Sequence, residues 1–213
     1  MPPPILFRDD RFVVLHKPAG LPVHPGPRGG PSVEDWFPAL SRRRDGPWLV
    51  HRLDADTSGC LLVALRRPAL RDAQALWASG GVRKTYWAVV AGEPGADAGL
   101  VDAPLLKRQN RAGWRVVVDA AGQAAQTEWR VLGRAGGLAW LELHPRTGRT
   151  HQIRVHCATA LGCPLLGDPV YGAGEAGGLH LLARALHVPV TPPVGAVAPP
   201  TGAMARTLAG FRP

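Results

Sequence analysis

The sequence predicts a mixed α+β fold with a largely antiparallel sheet flanked by helices and loops, and three observations carry that prediction. Apolar runs are short and punctuated by glycine and proline, 26 and 22 of them in 213 residues, which is the pattern of brief strands joined by turns. Two longer segments have helical spacing instead. Three strand-like segments then follow one another in the second half of the chain with Gly-containing connections. A hydrophobic fraction of 46% over this length is enough to bury a core as one large domain or two closely joined lobes.

Taken in order, residues 5–18 read as two short strands around an Asp9-Asp10 turn, and residues 20–31 as a loop rich in proline and glycine. Ser32 is placed to cap a helix running to Leu40, because Asp35 follows three residues later and is succeeded by apolar Trp36, Phe37 and Leu40. Residues 41–47, with Arg42, Arg43 and Arg44, form a polar linker. The apolar run 60–65 suits a buried strand. Residues 68–79 place Leu70, Ala73, Leu76 and Trp77 on one helical face and stop at Gly80-Gly81. Residues 82–91, 114–118, 126–132 and 138–143 read as strands. A later helix is expected over residues 150–161, with Thr150 near its start and Gly162 just beyond its end, and the proline-rich residues 189–200 are expected to wrap the surface.

A net charge of +9 favours a polyanion or an anionic membrane as partner, with nucleic acid the leading class. No uncharged apolar stretch approaches the roughly 18 residues of a membrane span without repeated prolines, and the first residues lack the basic-then-apolar pattern of a signal peptide. Cys60, Cys157 and Cys163 are odd in number and lack the paired spacing of a structural zinc site. The expectation is a cytoplasmic protein with no membrane association.

Three segments carry chemistry. The first, His51-Arg52-Leu53-Asp54-Ala55-Asp56-Thr57-Ser58-Gly59, packs cationic, carboxylate and hydroxyl groups between two apolar runs, where a loop-borne site belongs. A guanidinium near Asp54 would keep it ionised and oriented as nucleophile or base. On chemistry alone Asp56 is an equal candidate. The tetrapeptide Asp56-Thr57-Ser58-Gly59 is superficially similar to an aspartic-protease loop, but Ser58 separates the glycine from the Asp-Thr pair and no second copy exists.

The second segment, Arg146-Thr147-Gly148-Arg149-Thr150-His151-Gln152-Ile153-Arg154-Val155-His156, puts three arginines and two histidines around a helix start whose amides would attract an anion. Helical spacing shows polar groups on more than one face. A metal site would have to recruit His144, His151, His156 and Cys157, and their spacing matches no metal motif. In the third, Arg83-Lys84-Thr85-Tyr86-Trp87, strand alternation sends Lys84 and Tyr86 to one face and Thr85 and Trp87 to the other. Neither a phosphate-binding Gly-rich loop with its lysine nor a Gly-x-Ser-x-Gly elbow is present.

Together these segments, in this order, resemble the RluA-type family of RNA pseudouridine synthases. The similarity also takes in Ile5-Leu6-Phe7-Arg8-Asp9-Asp10, Lys17-Pro18-Ala19-Gly20-Leu21-Pro22-Val23-His24, and residues 162–172 with Leu166-Gly167-Asp168-Pro169-Val170-Tyr171-Gly172. The resemblance implies the pseudouridine synthase fold with a central active-site cleft, in a single catalytic domain over residues 1–213 without the small basic S4 domain of many relatives.

It further implies that Asp54 is the essential aspartate and Asp56 a supporting residue, that Tyr86 packs on the target base, and that Arg154 pairs with the aspartate. Arg52 matches the arginine that enters the RNA stack when the uridine is flipped out. His51, Thr57, Lys84, Arg149 and His151 complete the expected substrate-binding set. The substrate would be ribosomal or transfer RNA, with no cofactor, no metal and no obligatory protein partner, and the protein would act as a monomer. Cys60, where the family usually has an aliphatic residue, and the linker from Arg42 to Trp48 depart from the pattern without touching the proposed chemistry.

Overall fold

The computed structural model describes residues 2–26, 29–43, 45–110, 113–174 and 177–211. In chain order the strands are β1 (Ile5–Arg8), β2 (Phe12–Lys17), β3 (Trp48–Leu49), β4 (Ser58–Ala64), β5 (Arg83–Ala91), β6 (Ala98–Asp102), β7 (Leu105–Asn110), β8 (Gly113–Val118), β9 (Gln126–Ala135), β10 (Leu138–Pro145), β11 (Leu181–Val188) and β12 (Val194–Val197). The helices are α1 (Phe37–Leu40), α2 (Arg67–Ala78), α3 (Gln152–Val155) and α4 (Gly202–Leu208). The fold is α+β with a mixed, largely antiparallel sheet, as the sequence predicts. The chain divides into two compact units, Met1–Lys84 with Leu182–Pro200, and Thr85–Leu181 with Thr201–Pro213.

In the first unit the strand order is β1-β2-β4-β11, with β3 paired to β4 and β12 to β11. Asp9 closes the β1–β2 turn by accepting the amides of Arg11 and Phe12 at 2.8 and 2.6 Å. Phe12, Val13, Val14 and Leu15 on β2 and Leu61, Leu62, Val63 and Ala64 on β4 are buried on both faces, which is why these strands read as continuous apolar runs rather than alternating ones. The pair β4–β11 is parallel and sets Gly59 opposite Ala183. Gly59 has φ +116°, and a Cβ there would lie 2.3 Å from the Ala183 carbonyl oxygen, so only glycine permits this approach.

Ser32 begins its helix as expected, with the Asp35 carboxylate accepting the Ser32 amide at 3.0 Å, but the first turn, Val33–Trp36, is a 3-10 turn before α1. On α2 the apolar side contacts the unit through Ala69 and Ala73. The helix ends as Gly80, at φ +75°, turns the chain so that the Gly81 amide reaches back to the Leu76 carbonyl at 2.8 Å.

In the second unit β5, β10, β9 and β6 follow one another in an antiparallel sheet, and β7 and β8 form a separate hairpin. Alternation along β10 turns Ala139, Leu141 and Leu143 into the core, with Trp140, Glu142 and His144 on the other face. Two expectations need correction. The helix over residues 150–161 begins only at Gln152, because His151 sits before it in the left-handed region at φ 54° and cannot extend the helix backwards, and it is α-helical to Val155 before continuing as a π-helical turn, His156–Ala160. Residues 189–200 are not a plain surface wrap: once Pro192 and Pro193 have passed, β12 pairs with β11 and Val194 and Ala198 are buried. Pro27 and Arg28 of the first loop and Arg44 of the linker lie outside the described residues.

Candidate active site

The first unit carries a loop of residues 50–57 between β3 and β4, fixed at both ends. Strand pairing holds Trp48 and Leu49 to Ala64 and Val63, and the Val50 amide continues the ladder to the Leu62 carbonyl at 3.2 Å. The Leu62 amide donates to His51 Nε2 at 3.0 Å, and the imidazole stacks on Trp77 with ring centres 4.7 Å apart. Burial pushes the His51 imidazole down to about 4, against a hydrogen bond to the Arg52 backbone, with the Lys84 cation adding to the depression. The ring is therefore neutral near pH 7 and free to accept at Nε2.

Leu53 and Thr57 turn their side chains inward, and the Thr57 amide donates to the Asp54 carbonyl at 3.1 Å. This tight turn leaves Asp54 half-buried and Arg52 exposed. Beneath the loop lies Lys17, with no exposed surface. Its three ammonium protons go to the carbonyls of Pro18 and Leu21, each at 2.8 Å, and of Ala55 at 2.7 Å. Burial pushes Lys17 down to about 8 while the Asp56 and Asp54 carboxylates pull it back up. A buried cation thus joins the chain after β2 to the middle of the aspartate loop. Lys84, half-buried, is likewise lowered by burial.

In the second unit Tyr86 lies opposite Leu143 on β10 and packs, half-buried, against the core cluster that includes Ala88 and Leu141. Thr85 and Trp87 point to the other face, where the Thr85 hydroxyl meets His144 Nδ1 at 3.4 Å and the Trp87 indole donates to Glu142 at 3.3 Å. The alternation read from the sequence is the one found.

Arg154 on α3 is 3% exposed. Its Nε and Nη2 donate to the two oxygens of Asp168, both at 2.7 Å, and Nη1 reaches His151 Nε2 at 3.3 Å. Burial raises the Asp168 carboxyl, but Arg154 and the amides of Val170 and Tyr171 outweigh it and hold the group below the usual carboxylate range. His151 Nδ1 lies 2.9 Å from the Tyr171 hydroxyl, which also accepts the Val116 amide at 3.0 Å. Arg149 is exposed, its Nε donating to the Ala124 carbonyl at 3.1 Å.

The other polar residues of α3 and of the π-helical turn after it serve the fold. Gln152 accepts from the Thr147 hydroxyl at 2.7 Å and the Arg149 amide at 3.0 Å, and donates to the Gln126 carbonyl and the Thr127 hydroxyl, both at 2.9 Å. His156 bonds Thr127 through Nδ1 at 2.9 Å and donates from Nε2 to the Ala103 carbonyl at 3.0 Å. Cys157 is buried in the core, its thiol pushed up by burial. Among the described residues no three His, Cys, Asp or Glu side chains gather as a metal set would.

Within the first unit, then, His51, Arg52, Asp54 and Thr57 share one braced loop; within the second, Arg149, His151 and Arg154 cluster where the chain enters α3. Sequence reasoning gave no role to Lys17, Asp168 or Tyr171. The available signal was the requirement that a buried guanidinium have a carboxylate and a buried ammonium have acceptors.

The family model for RNA pseudouridylate synthase matches residues 11–159, a stretch that contains Asp54, Tyr86 and Arg154. The chain is 43% identical over 171 residues to an uncharacterised RNA pseudouridine synthase of Zymomonas mobilis, covering 79% of this chain and 78% of that one. It is 40% identical over 168 residues to the ribosomal large subunit pseudouridine synthase C of Vibrio cholerae, covering 79% of this chain but 52% of that one, so it spans about half of that relative's length. The solved structure of human RNA pseudouridylate synthase domain containing 4 superposes with a TM-score of 0.81 at 30% identity, covering 96% of this chain and 91% of that one. Identity at this level across four-fifths of the sequence, with a matching fold over nearly all of it, places the chain in the RNA pseudouridylate synthase family.

Proposed function

We propose that this protein isomerises specific uridines of ribosomal or transfer RNA to pseudouridine, with Asp54 as the essential aspartate and with the target base flipped out of its stack. The observation that carries the reading is the braced loop: a carboxylate set on a tight turn, locked from below by the Lys17 ammonium on the Ala55 carbonyl.

The reaction breaks the bond from uracil N1 to the ribose, turns the base, and joins C5 to the same sugar carbon. It is an isomerisation, and neither oxidant nor reductant enters it. Ionised Asp54 attacks ribose C1′ or assists formation of a glycal, an addition to ring C6 being the older alternative. Tyr86 packs on the base near the carbon that loses its proton. Arg154, oriented by Asp168, is in this reading the basic residue paired with the aspartate. A stacked base exposes neither its C5 nor its glycosidic bond, so exposed Arg52 fills the space the uridine leaves. Thr57, Lys84, Arg149 and His151 complete the substrate-binding set, and His51 contributes through the loop it anchors. The two units act as a single catalytic domain over residues 1–213, as a monomer in the cytoplasm, without cofactor, metal or protein partner. RNA is held with the help of the chain's net charge of +9.

The test is release of tritium from RNA labelled at uridine C5, with no metal or nucleotide added. Wild type should release it, and Asp54→Asn should not, while still binding RNA. An active Asp54→Asn would defeat the mechanism, and a dead Asp56→Asn beside an active Asp54→Asn would transfer the role to Asp56.

A further inference from the structure

We propose that the β7–β8 hairpin is a platform for single-stranded RNA on which the Trp114 indole stacks a nucleobase flanking the target uridine, while Lys107 and Arg115 hold the adjoining phosphates. This deepens the reading of the protein as an RNA enzyme and rests on it.

The hairpin stands outside the main sheet of its unit, and its register sets Leu105 opposite Val118, Lys107 opposite Val116 and Gln109 opposite Trp114. These six residues share one face. At the base of that face Leu105 and Val116 are buried in a small core with Ala125 and Val155, which Tyr171 flanks. Toward the tip the same face opens and presents Trp114, 43% exposed. A strand residue that would otherwise continue the core is instead a large flat ring set in water, the amphipathic side chain that stacks bases of any sequence.

Two further observations distinguish Trp114 from an ordinary surface tryptophan. The Lys107 ammonium lies 4.4 Å from the centre of its ring, so the ring already accommodates a cation. At an exposed site that interaction is weaker than a stacked base, and an arriving base releases the ammonium to a phosphate. Arg115, also exposed, lies over the Tyr171 ring at 5.2 Å with Nη2 3.4 Å from the Val170 carbonyl. Arg108 is compensated by its ion pair with Asp119 and is left out of the phosphate set.

The platform is also registered to the candidate site. Tyr171 takes the Val116 amide of the hairpin and meets His151, and His151 meets Arg154. The Trp114 and His151 rings are themselves 5.0 Å apart. One imidazole therefore separates the indole from the guanidinium assigned to the aspartate, and a strand of RNA whose uridine reaches Arg154 brings a neighbouring base to Trp114. A duplex, with its bases already stacked, has none to offer.

The experiment measures binding of a fluorescein-labelled oligouridylate of about 12 nucleotides and of a blunt RNA duplex of similar length, beside tritium release from C5-labelled RNA. Trp114→Ala should weaken the single strand about tenfold and leave the duplex unchanged. Trp114→Phe should restore most of the loss. KM for tritium release should rise with kcat nearly intact, and the doubly substituted Lys107→Ala, Arg115→Ala protein should lower the salt dependence of single-strand binding by about 0.7 for each phosphate no longer neutralised. Unchanged single-strand affinity in Trp114→Ala, an equal loss on both probes, or failure of phenylalanine to rescue would each overturn the platform. If wild type turns over RNA while Trp114→Ala matches its KM, the platform alone fails; if wild type neither binds RNA nor releases tritium, the parent reading fails and takes the platform with it.

Discussion

Arg154 and Asp168 form a buried two-pronged ion pair, with Nε to Oδ2 and Nη2 to Oδ1 both at 2.7 Å and neither side chain more than 3% exposed. Asp168 also takes the amides of Val170 and Tyr171 at 2.8 and 3.1 Å. One carboxylate therefore fixes both the turn after it and the plane of the guanidinium, leaving Nη1 as the edge of Arg154 not engaged by Asp168.

Asp168→Ala should be far more damaging than removal of a surface acid, because it leaves a buried guanidinium without its carboxylate. The expected loss is about 3–5 kcal/mol. At roughly 2–4 °C per kcal/mol the melting temperature falls by about 10 °C, which thermal and urea denaturation would read. The lowered pKa of Asp168 has a definite sign: the stabilisation is complete above the unfolded carboxyl's ordinary range, near 3.9, and is lost as pH falls through the lower folded value.

His51→Gln should flatten the acid side of the stability profile. The folded imidazole titrates near 4 and the unfolded one near 6.5, so only the unfolded chain takes up a proton between those values. Stability from this group is complete above 6.5 and falls as pH drops toward 4, by about 3 kcal/mol in all. Urea midpoints across that window should show a steep decline in wild type and a shallower one in the glutamine variant. Equal slopes would mean that the His51 ring is already charged in the fold.

Lys17→Met should leave three buried carbonyls, of Pro18, Leu21 and Ala55, without a donor. RNA affinity should be nearly unchanged, since the ammonium is wholly buried. The kcat for tritium release should fall by about 10- to 100-fold as the aspartate loop loses its register. A matching loss in Kd would argue instead for general unfolding of the surface.

Arg52→Ala should separate flipping from binding. Removing one exposed cation should weaken bulk RNA affinity less than tenfold, while single-turnover isomerisation slows by more than that. A target uridine placed in a mismatch, where extrusion is easier, should recover part of the rate.

Much of this molecule was legible in the sequence because its signals were local. The Asp9 turn, the Ser32-to-Asp35 box and the Gly80-Gly81 stop are written within four residues of one another, and each forms where expected. The strands β6, β7, β11 and β12 carried weaker signals, being short, charged or flanked by proline. The helix over residues 150–161 was legible in its spacing but starts late, at Gln152, because His151 is left-handed, and the bonds of Gln152 and His156 to Thr127 join residues too far apart in the sequence to be read from it. Among the candidate site residues, composition marked the loop that holds Asp54 and Asp56, and the family resemblance chose between the two carboxylates. Lys17 and Asp168 did not, because one lysine in a strand and one aspartate before a proline become informative only when their burial is known.

The parallel seat of Gly59 on Ala183 bears on how the protein is made. The first unit is assembled from Met1–Lys84 and Leu182–Pro200, so its sheet lacks β11 and β12 until the intervening residues have been translated. A nascent chain can form the β2–β4 ladder early, but the glycine that begins the strand after the aspartate loop then has no neighbour to rest against. Pairings this distant along the chain form slowly. A chain cut short before Leu182 would carry every residue of the aspartate loop, with the Lys17 and His51 contacts that brace it, and still lack the strand on which Gly59 rests.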